Sequence, residues 1–199
     1  VVAGNPARSA PDSARLERAI SGLECVISVD IYRNETSRFA HVILPPPSAL
    51  ERSHYDLAFT AMAVRNIAHW SPALYDHGDR PDEAAILAKL ALIVSGMGAG
   101  ADPAIIDDIA LSGVLARAVR PGGPHEGRDP AELIAMLEAT TPVDRLLEAM
   151  IRLGAYGDEF GLNPDGLTFA KLRDATHGID LGPLQPRVPD CVTTASGLI

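Results

Sequence analysis

Short apolar runs alternate with segments of helical periodicity in the first half of the chain. The run Cys25–Val29 is uninterrupted and rich in β-branched residues, which predicts a strand buried on both faces. Val1–Ala3 and Val42–Leu44 predict two further short strands. A helix that begins at about Asp12, with Asp12 or Ser9 as its N-cap, is predicted between the first two strands, because apolar residues recur there at helical spacing. Strand, helix and strand in this order form a βαβ unit with a right-handed crossover.

The rest of the chain is predicted to be mostly helical. Residues 57–70 are compatible with a hairpin or an extended stretch, and the extended form is favoured. A long helix is predicted to have Asp79 as its N-cap, with Pro81 inside it, and to bury Ile86, Leu87, Leu90, Ile93 and Val94. Further helices are predicted over Pro103–Val119, from Asp129, from Thr141 and over Leu167–Ala175, followed by an extended, proline-rich tail over Gly178–Ile199.

The expected fold class is therefore α/β. A partial Rossmann-like parallel sheet with flanking helices is expected over residues 1–100, and a mostly helical region with an extended linker tail over residues 101–199. Because the sequence begins and ends in apolar stretches, the chain is expected to be part of a longer protein.

Composition and charge exclude several classes of function. The chain is 47% hydrophobic and 22% charged, which is enough to bury a core. Its formal net charge of -9 and the lack of a basic stripe predict no nucleic-acid partner. No apolar run is long enough to cross a bilayer, so no membrane insertion is expected. The two cysteines form no disulfide framework, and Cys25, inside the predicted strand, is expected to be an inert small hydrophobe; a cytoplasmic location fits this usage.

The most suggestive polar residue is Asp30, which directly follows the predicted buried strand. Ligands of open α/β sheets bind beyond the carboxyl ends of the strands. A carboxylate at this position can accept two hydrogen bonds from a planar pair of N–H groups, such as a guanine edge, or from ribose hydroxyls. The alternative is that Asp30 only caps the turn that follows.

Other kinds of chemistry have little support in the sequence. The six histidines lack the spacing of a metal site, and no nucleophile elbow, G-x-G-x-x-G or Walker loop is present. Arg52 follows a run of prolines, where it can pair with a phosphate or form an ordinary surface ion pair.

Taken in order, five segments resemble the molybdopterin oxidoreductase family. This family contains the large subunits of formate dehydrogenases, nitrate reductases and dimethyl-sulfoxide-reductase-like enzymes. The segments are Gly4-Asn5-Pro6 with Ser9, Val29-Asp30, Glu35-Thr36, Ala40–Pro45 and Glu51-Arg52. The resemblance covers about residues 1–95, and Arg187–Ile199 resembles the linker before the family's last dinucleotide-binding domain. His41 departs from the pattern, because the family usually has Asp there.

The resemblance implies a cofactor and a set of binding residues. Such enzymes hold molybdenum or tungsten through two molybdopterin guanine dinucleotides, and residues 1–100 would form an α/β portion that binds one of them. By motif, Asn5 lies near the cofactor phosphates, the Val29 backbone and Asp30 hold the guanosine, Thr36 is their neighbour, Arg52 is close to the nucleotide and Asp82 matches a family Asp. An acidic residue at the position of Asp82 is equally suited to cap a helix.

The expected function is thus that of a fragment of a molybdenum or tungsten oxidoreductase that helps to bind its cofactor. The sequence contains no iron–sulfur motif and no segment matching the metal's ligand, so no catalytic or metal-ligating residue is assigned and the fragment alone is expected to be inactive. Its expected partners are the remainder of the parent polypeptide and an electron-transfer protein. The resemblance is compatible with an iron–sulfur cluster elsewhere in the parent polypeptide. The alternative is a non-catalytic α/β protein-interaction module whose Asp30 loop contacts a protein partner.

Overall fold

The computed structural model describes residues 1–185, 192 and 194–198, and within them the chain mixes helices with small sheets. No helix in these ranges combines the length and apolar character needed to cross a bilayer. The strands β1–β6 are Ile27–Val29, Val42–Leu44, His54–Tyr55, Arg65–Ala68, Trp70–Ser71 and Ile179–Pro183. The helices α1–α7 are Pro6–Ser9, Ser13–Ser21, Glu83–Val94, Ala104–Val119, Pro130–Ala135, Pro142–Leu153 and Phe169–Asp174.

The predicted βαβ unit is present as a narrow parallel arrangement. Strands β1 and β2 pair in parallel, with Val29 opposite Leu44. On the other side of β1, Val2 forms a parallel bridge to Val29, and the Val29 N–H donates to the Val1 carbonyl at 2.9 Å. Among the described residues the parallel sheet has two strands and this one bridge, which is narrower than the Rossmann-like sheet expected from the sequence.

The strand before Asp30 is shorter than predicted. It begins at Ile27, and Cys25 is exposed, so the prediction that Cys25 is buried in the strand is wrong. The cause is the contact with the segment before β2: the Val26 N–H donates to Nδ1 of His41 at 3.0 Å, and the Val26 carbonyl accepts from the His41 N–H at 2.8 Å. Cys25 lies before this paired stretch. The second half of the run is buried as expected, since Ser28 and Val29 are each 1% exposed.

The predicted N-cap is found at the start of α2 but not at the start of α3. Of the two predicted caps of α2, Asp12 takes the role, and its carboxylate accepts from the Arg15 N–H at 3.3 Å. Asp79 is not the N-cap of α3: Asp82 takes that role and accepts from the Ala85 N–H at 2.7 Å. Pro81 therefore precedes the helix instead of lying inside it.

The buried face of α3 also differs from the prediction. Ile86 is buried, but Leu87, Ile93 and Val94 are exposed, and Ala88 and Leu92 are buried in their place. Because α3 is apolar on nearly every side, its sequence pattern does not identify the face that packs against α4.

The two halves of the chain share a sheet. Strand β4 pairs antiparallel with β6, and β3 pairs antiparallel with β5. Residues 57–70, for which an extended form was favoured, contain the 3-10 turn Phe59–Met62 and two short strands. The domain boundary near residue 100 stays a prediction. The predicted tail begins as β6, whereas residues 186–191, 193 and 199, which include Cys191 and part of the linker-like stretch, lie outside the described residues.

Helix α6 lies between two hydrophobic clusters. Leu147 and Ile151 on one side belong to a cluster in which Trp70 and Phe169 meet edge to face at 5.6 Å. Ala149 on the other side belongs to a second cluster with residues of α4 and α5. The members of the first are Ala68, Ala139, Leu147, Ile151, Leu167, Phe169 and Leu172; those of the second are Leu111, Leu115, Leu133, Ala149 and Phe160.

A buried ion pair anchors the end of α6. The Arg152 guanidinium binds both carboxylate oxygens of Asp158, at 2.9 and 2.8 Å, and donates to the Met136 carbonyl at 2.7 Å. It also lies over the Phe160 ring, 4.6 Å from the centroid. Burial acts to raise the pKa of the Asp158 carboxyl, but the hydrogen bonds and charge of Arg152 outweigh it and hold that pKa below its usual value. Phe160 has a left-handed backbone (φ 51°), a strained conformation that these contacts hold in place.

We expect Arg152→Ala to lower the free energy of unfolding by about 3–5 kcal/mol, because it leaves the Asp158 carboxylate buried and unpaired. Urea denaturation measures the change. Arg145→Ala on the same helix is the matched control, since Arg145 forms no ion pair with the residues that the structure describes, and it should change stability by at most about 0.5 kcal/mol. Equal effects of the two substitutions would contradict the role of the pair.

The imidazole ring of His125 is buried without a hydrogen-bond partner in the described part of the chain. The residue is 2% exposed, neither ring nitrogen is paired, and the ring meets Phe160 edge to face at 5.7 Å. Burial and the nearby Arg128 lower the pKa of His125 below 6.5, while Glu159 and Asp158 act in the opposite direction. The folded state therefore favours the neutral ring, and stability should be highest above pH 6.5 and should fall as the pH drops toward the lowered value.

We expect His125→Phe to flatten the pH dependence of stability between about pH 7 and about pH 5, because the substituted ring cannot be protonated. Denaturation of the two proteins across this range measures the difference. Parallel pH profiles for the wild type and the variant would show that His125 does not contribute.

Candidate functional site

Two loops meet beyond the carboxyl end of the parallel strands. Asp30 follows β1, and Asn5 follows the segment Val1–Ala3 that pairs with the same strand. Because these strands run in parallel, their carboxyl ends lie at one edge of the sheet, where open α/β sheets bind ligands. The residues Asn5, Asp30, Asn34, Glu35 and Thr36 at this edge are called the strand-edge cluster.

The Asp30 carboxylate caps the turn that follows it. Its Oδ1 accepts from the Tyr32 N–H at 3.0 Å, and its Oδ2 accepts from the Asn34 side-chain amide at 2.7 Å. This is the alternative role that the sequence left open. Capping does not exhaust the carboxylate, however, because each oxygen has a second lone pair and Asp30 is only half-buried.

Thr36 connects the Asp30 loop to the turn at Asn5. Its hydroxyl oxygen accepts from the Ala7 N–H at 2.9 Å, and its hydrogen is donated to Oδ1 of Asn5 at 2.8 Å. Thr36 is 0% exposed, and its hydroxyl hydrogen is given to Asn5, so the hydroxyl has no hydrogen left to donate to a ligand. Thr36 thus acts on this edge by holding Asn5, and its predicted proximity to a cofactor stays a prediction.

Asn5 and Glu35 form the outer part of the cluster. The Asn5 amide donates to Oε2 of Glu35 at 2.7 Å, and Arg8 donates to Oε1 at 2.7 Å. Since a carboxylate only accepts, the Asn5 NH₂ must face Glu35 and its oxygen must face Thr36. The hydrogen bond from Asn5, a contact with its own backbone N–H and the bond from Arg8 lower the pKa of Glu35 to about 2. Glu35 is therefore ionised throughout the physiological range.

Arg52 and Asp82 lie at a different feature of the surface. Both line a cavity of about 710 Å³ between the segment after β2, the start of α3 and the start of α6. Arg52 donates to Glu83, and the adjacent Glu51 is paired with Arg80. The cavity is acidic, because Glu51, Asp76, Asp82, Glu83 and Asp144 line it together with a single arginine.

The structure therefore divides the six residues predicted from the sequence. Asn5, Val29, Asp30 and Thr36 are at or beside the strand edge, whereas Arg52 and Asp82 line the cavity. Sequence reasoning missed Asn34, which links Asp30 to the buried part of the loop. The signal was present, because an Asn side chain in a turn is suited to accept the backbone N–H groups two and three residues further along the chain, here those of Thr36 and Ser37.

Comparison with known proteins adds no relative. Searches with protein-family models, among curated proteins and among solved structures find no match to the chain. Within the described ranges, no group of three or more His, Cys, Asp and Glu side chains is arranged to hold a metal ion.

We expect Thr36→Val to lower the free energy of unfolding by about 1–3 kcal/mol, because the buried Ala7 N–H loses its acceptor while the side-chain volume is kept. Thermal or urea unfolding measures the loss. Thr176→Val at an exposed position is the matched control and should change stability by at most about 0.5 kcal/mol. If Thr36→Val unfolded with the same free energy as the wild type, the role of this hydroxyl would be contradicted.

Proposed function

We propose that this chain is part of a molybdenum- or tungsten-containing bis-molybdopterin guanine dinucleotide oxidoreductase of the cytoplasm, and that its strand-edge cluster holds the guanosine of one cofactor. The observation that carries the proposal is the connection of Asp30 and Asn5, both expected at the cofactor from their motifs, through Asn34 and Thr36 at one strand edge. The narrow parallel sheet would then be one part of a Rossmann-like sheet.

The residues at the strand edge fit the guanosine half of such a cofactor. Guanine presents two adjacent N–H donors, and Asp30 has a free lone pair on each of its two oxygens. The Asn5 amide retains one N–H that is not used by Glu35 and is available to a phosphate oxygen. The cofactor supplies the redox chemistry when it is bound, and the residues of this chain bind and orient it.

A role inside a larger protein is supported by the surface of the chain. It exposes 13018 Å² for a mass of 21.0 kDa, whereas a compact monomer of this mass exposes about 9,000 Å². Part of the excess is apolar: Val64 is 91% exposed, and Leu57, Phe59 and Met62 near it are also exposed. Surfaces of this kind are usually covered by other protein. We propose that the remainder of the parent polypeptide covers this one.

The same surface is the observation that favours the second candidate, a non-catalytic interaction module. In that case the apolar residues 57–64 would contact a separate protein, and the Asp30 loop would contact a partner instead of a nucleotide. Metal analysis separates the two candidates. The first requires near-stoichiometric molybdenum or tungsten and acid-released guanine nucleotide in the full-length protein, and the absence of both would refute it.

We expect Asp30→Ala in the full-length protein to lower the bound guanine nucleotide by up to half, because the base of one of the two cofactors loses its paired acceptor. Nucleotide released by acid and quantified by chromatography measures the loss. Asp56→Ala is the matched control: like Asp30, Asp56 accepts two hydrogen bonds within its own turn, from the N–H groups of Ala58 at 2.9 Å and Phe59 at 2.7 Å, but it lies outside the strand-edge cluster. Equal nucleotide content in the two variants would contradict the role of Asp30.

A further inference from the structure

The orientation of the Asn34 side chain is fixed by the backbone around it. Its Oδ1 accepts from the N–H groups of Thr36 at 3.0 Å and Ser37 at 2.9 Å. Because the oxygen must face these two donors, the NH₂ group must face the other way. It faces Asp30, and Nδ2 donates to Oδ2 of the carboxylate at 2.7 Å.

The segment that fixes Asn34 is itself held firmly. Thr36 and Ser37 are buried, and the Ser37 hydroxyl accepts from the Asn34 N–H at 2.8 Å while it donates to the Tyr32 carbonyl at 3.0 Å. Asn34 is thus bonded through its backbone N–H, its side-chain oxygen and its side-chain NH₂. A residue held through these three groups is a rigid support for its neighbour.

The Asp30 carboxylate is held by one donor on each oxygen. Asn34 binds Oδ2, and the Tyr32 N–H binds Oδ1. Rotation of the carboxylate would break both hydrogen bonds. Of the two donors, the Tyr32 N–H belongs to the turn itself, so Asn34 is the only one of the two that a side-chain substitution can remove.

We propose that Asn34 is the positioning residue of the nucleotide site, which holds the Asp30 carboxylate in the orientation that accepts a planar pair of N–H groups from a bound base. The inference rests on the proposed function, because Asp30 must be the group that contacts the nucleotide. Asn34 does not touch the ligand. It acts through Asp30, and its effect is on the rate at which the bound nucleotide leaves.

The substitution Asn34→Asp in the full-length protein separates positioning from support of the loop. The introduced carboxylate still accepts from the N–H groups of Thr36 and Ser37, but it has no hydrogen to give to Asp30 and repels it. We expect guanine nucleotide to leave the protein about tenfold faster at neutral pH. The matched control is Asn66→Asp, which replaces an amide that donates to the Pro183 carbonyl, and it should leave the release rate unchanged.

A pH profile supplies a readout that damage to the loop alone would not produce. Two carboxylates in contact share a proton as the pH falls, and the shared proton restores a hydrogen bond between position 34 and Asp30. The other charged groups of this loop are Glu35, which pairs with Arg8, Arg38, which pairs with Glu17, and Arg33. As the pH falls from about 7 to about 5, Asn34→Asp should therefore return to slow nucleotide release. Asn34→Ala should release nucleotide quickly at both pH values.

The outcomes distinguish this inference from the proposed function. If Asn34→Asp released nucleotide at the wild-type rate while Asp30→Ala lost nucleotide, the role of Asn34 would be overturned and the proposed function would stand. Unchanged nucleotide in both variants would overturn both. If Asn34→Asp does not accumulate as folded protein, Asn34→Ser carries the test, because its hydroxyl caps the turn but is too short to reach Asp30; wild-type release from that variant would likewise overturn the inference.

Discussion

The buried hydroxyl of Thr36 joins the two segments on which the candidate site is built. A hydroxyl has one hydrogen to donate, and Thr36 gives it to Asn5 while its oxygen accepts from the Ala7 N–H. Because the side chain is fully buried, water cannot replace either partner, and the loss of one would leave a buried polar group unpaired. The loop after β1 and the turn before α1 are therefore held in one relative position, although 31 residues separate Thr36 from Asn5. The positions of the Asn5 amide and of the Glu35–Arg8 pair follow from this contact.

Features that depend on neighbouring residues were predictable from the sequence. Strand β2 and the caps Asp12, Asp129 and Thr141 occur as predicted, because each cap accepts a backbone N–H only two or three residues away. The start of α3 shows where such reasoning fails. Both Asp79 and Asp82 are suitable caps, but a residue before proline disfavours the helical conformation, so the helix begins only after Pro81. Its buried face is set by packing against α4, a contact that an almost uniformly apolar sequence does not encode locally.

The candidate site, like the fold, was predictable only in its local features. The position of Asp30 after a buried strand and that of Asn5 in a turn are local features, and both were predicted. The contacts that join them connect distant parts of the chain, and such pairs have no periodic signature. The buried charges of α6 are a parallel case: Glu148 and Arg152 would be assigned to a polar face, yet both are buried, because Arg152 finds Asp158 and Glu148 accepts the N–H groups of Glu138 and Ala139.

The distribution of charge indicates which of the two features suits a nucleotide. An acidic chain can hold an anionic ligand only where its own carboxylates are neutralised or already hydrogen-bonded. At the strand edge, Glu35 is paired with Arg8, and Asp30 presents acceptors to a base instead of facing a phosphate. At the cavity, Arg52 is paired with Glu83, so a phosphate bound there would have to displace one carboxylate and approach several others. The base and ribose of the proposed nucleotide would therefore be better placed at the strand edge, and Arg52 would contribute to binding only if it left Glu83 for the ligand.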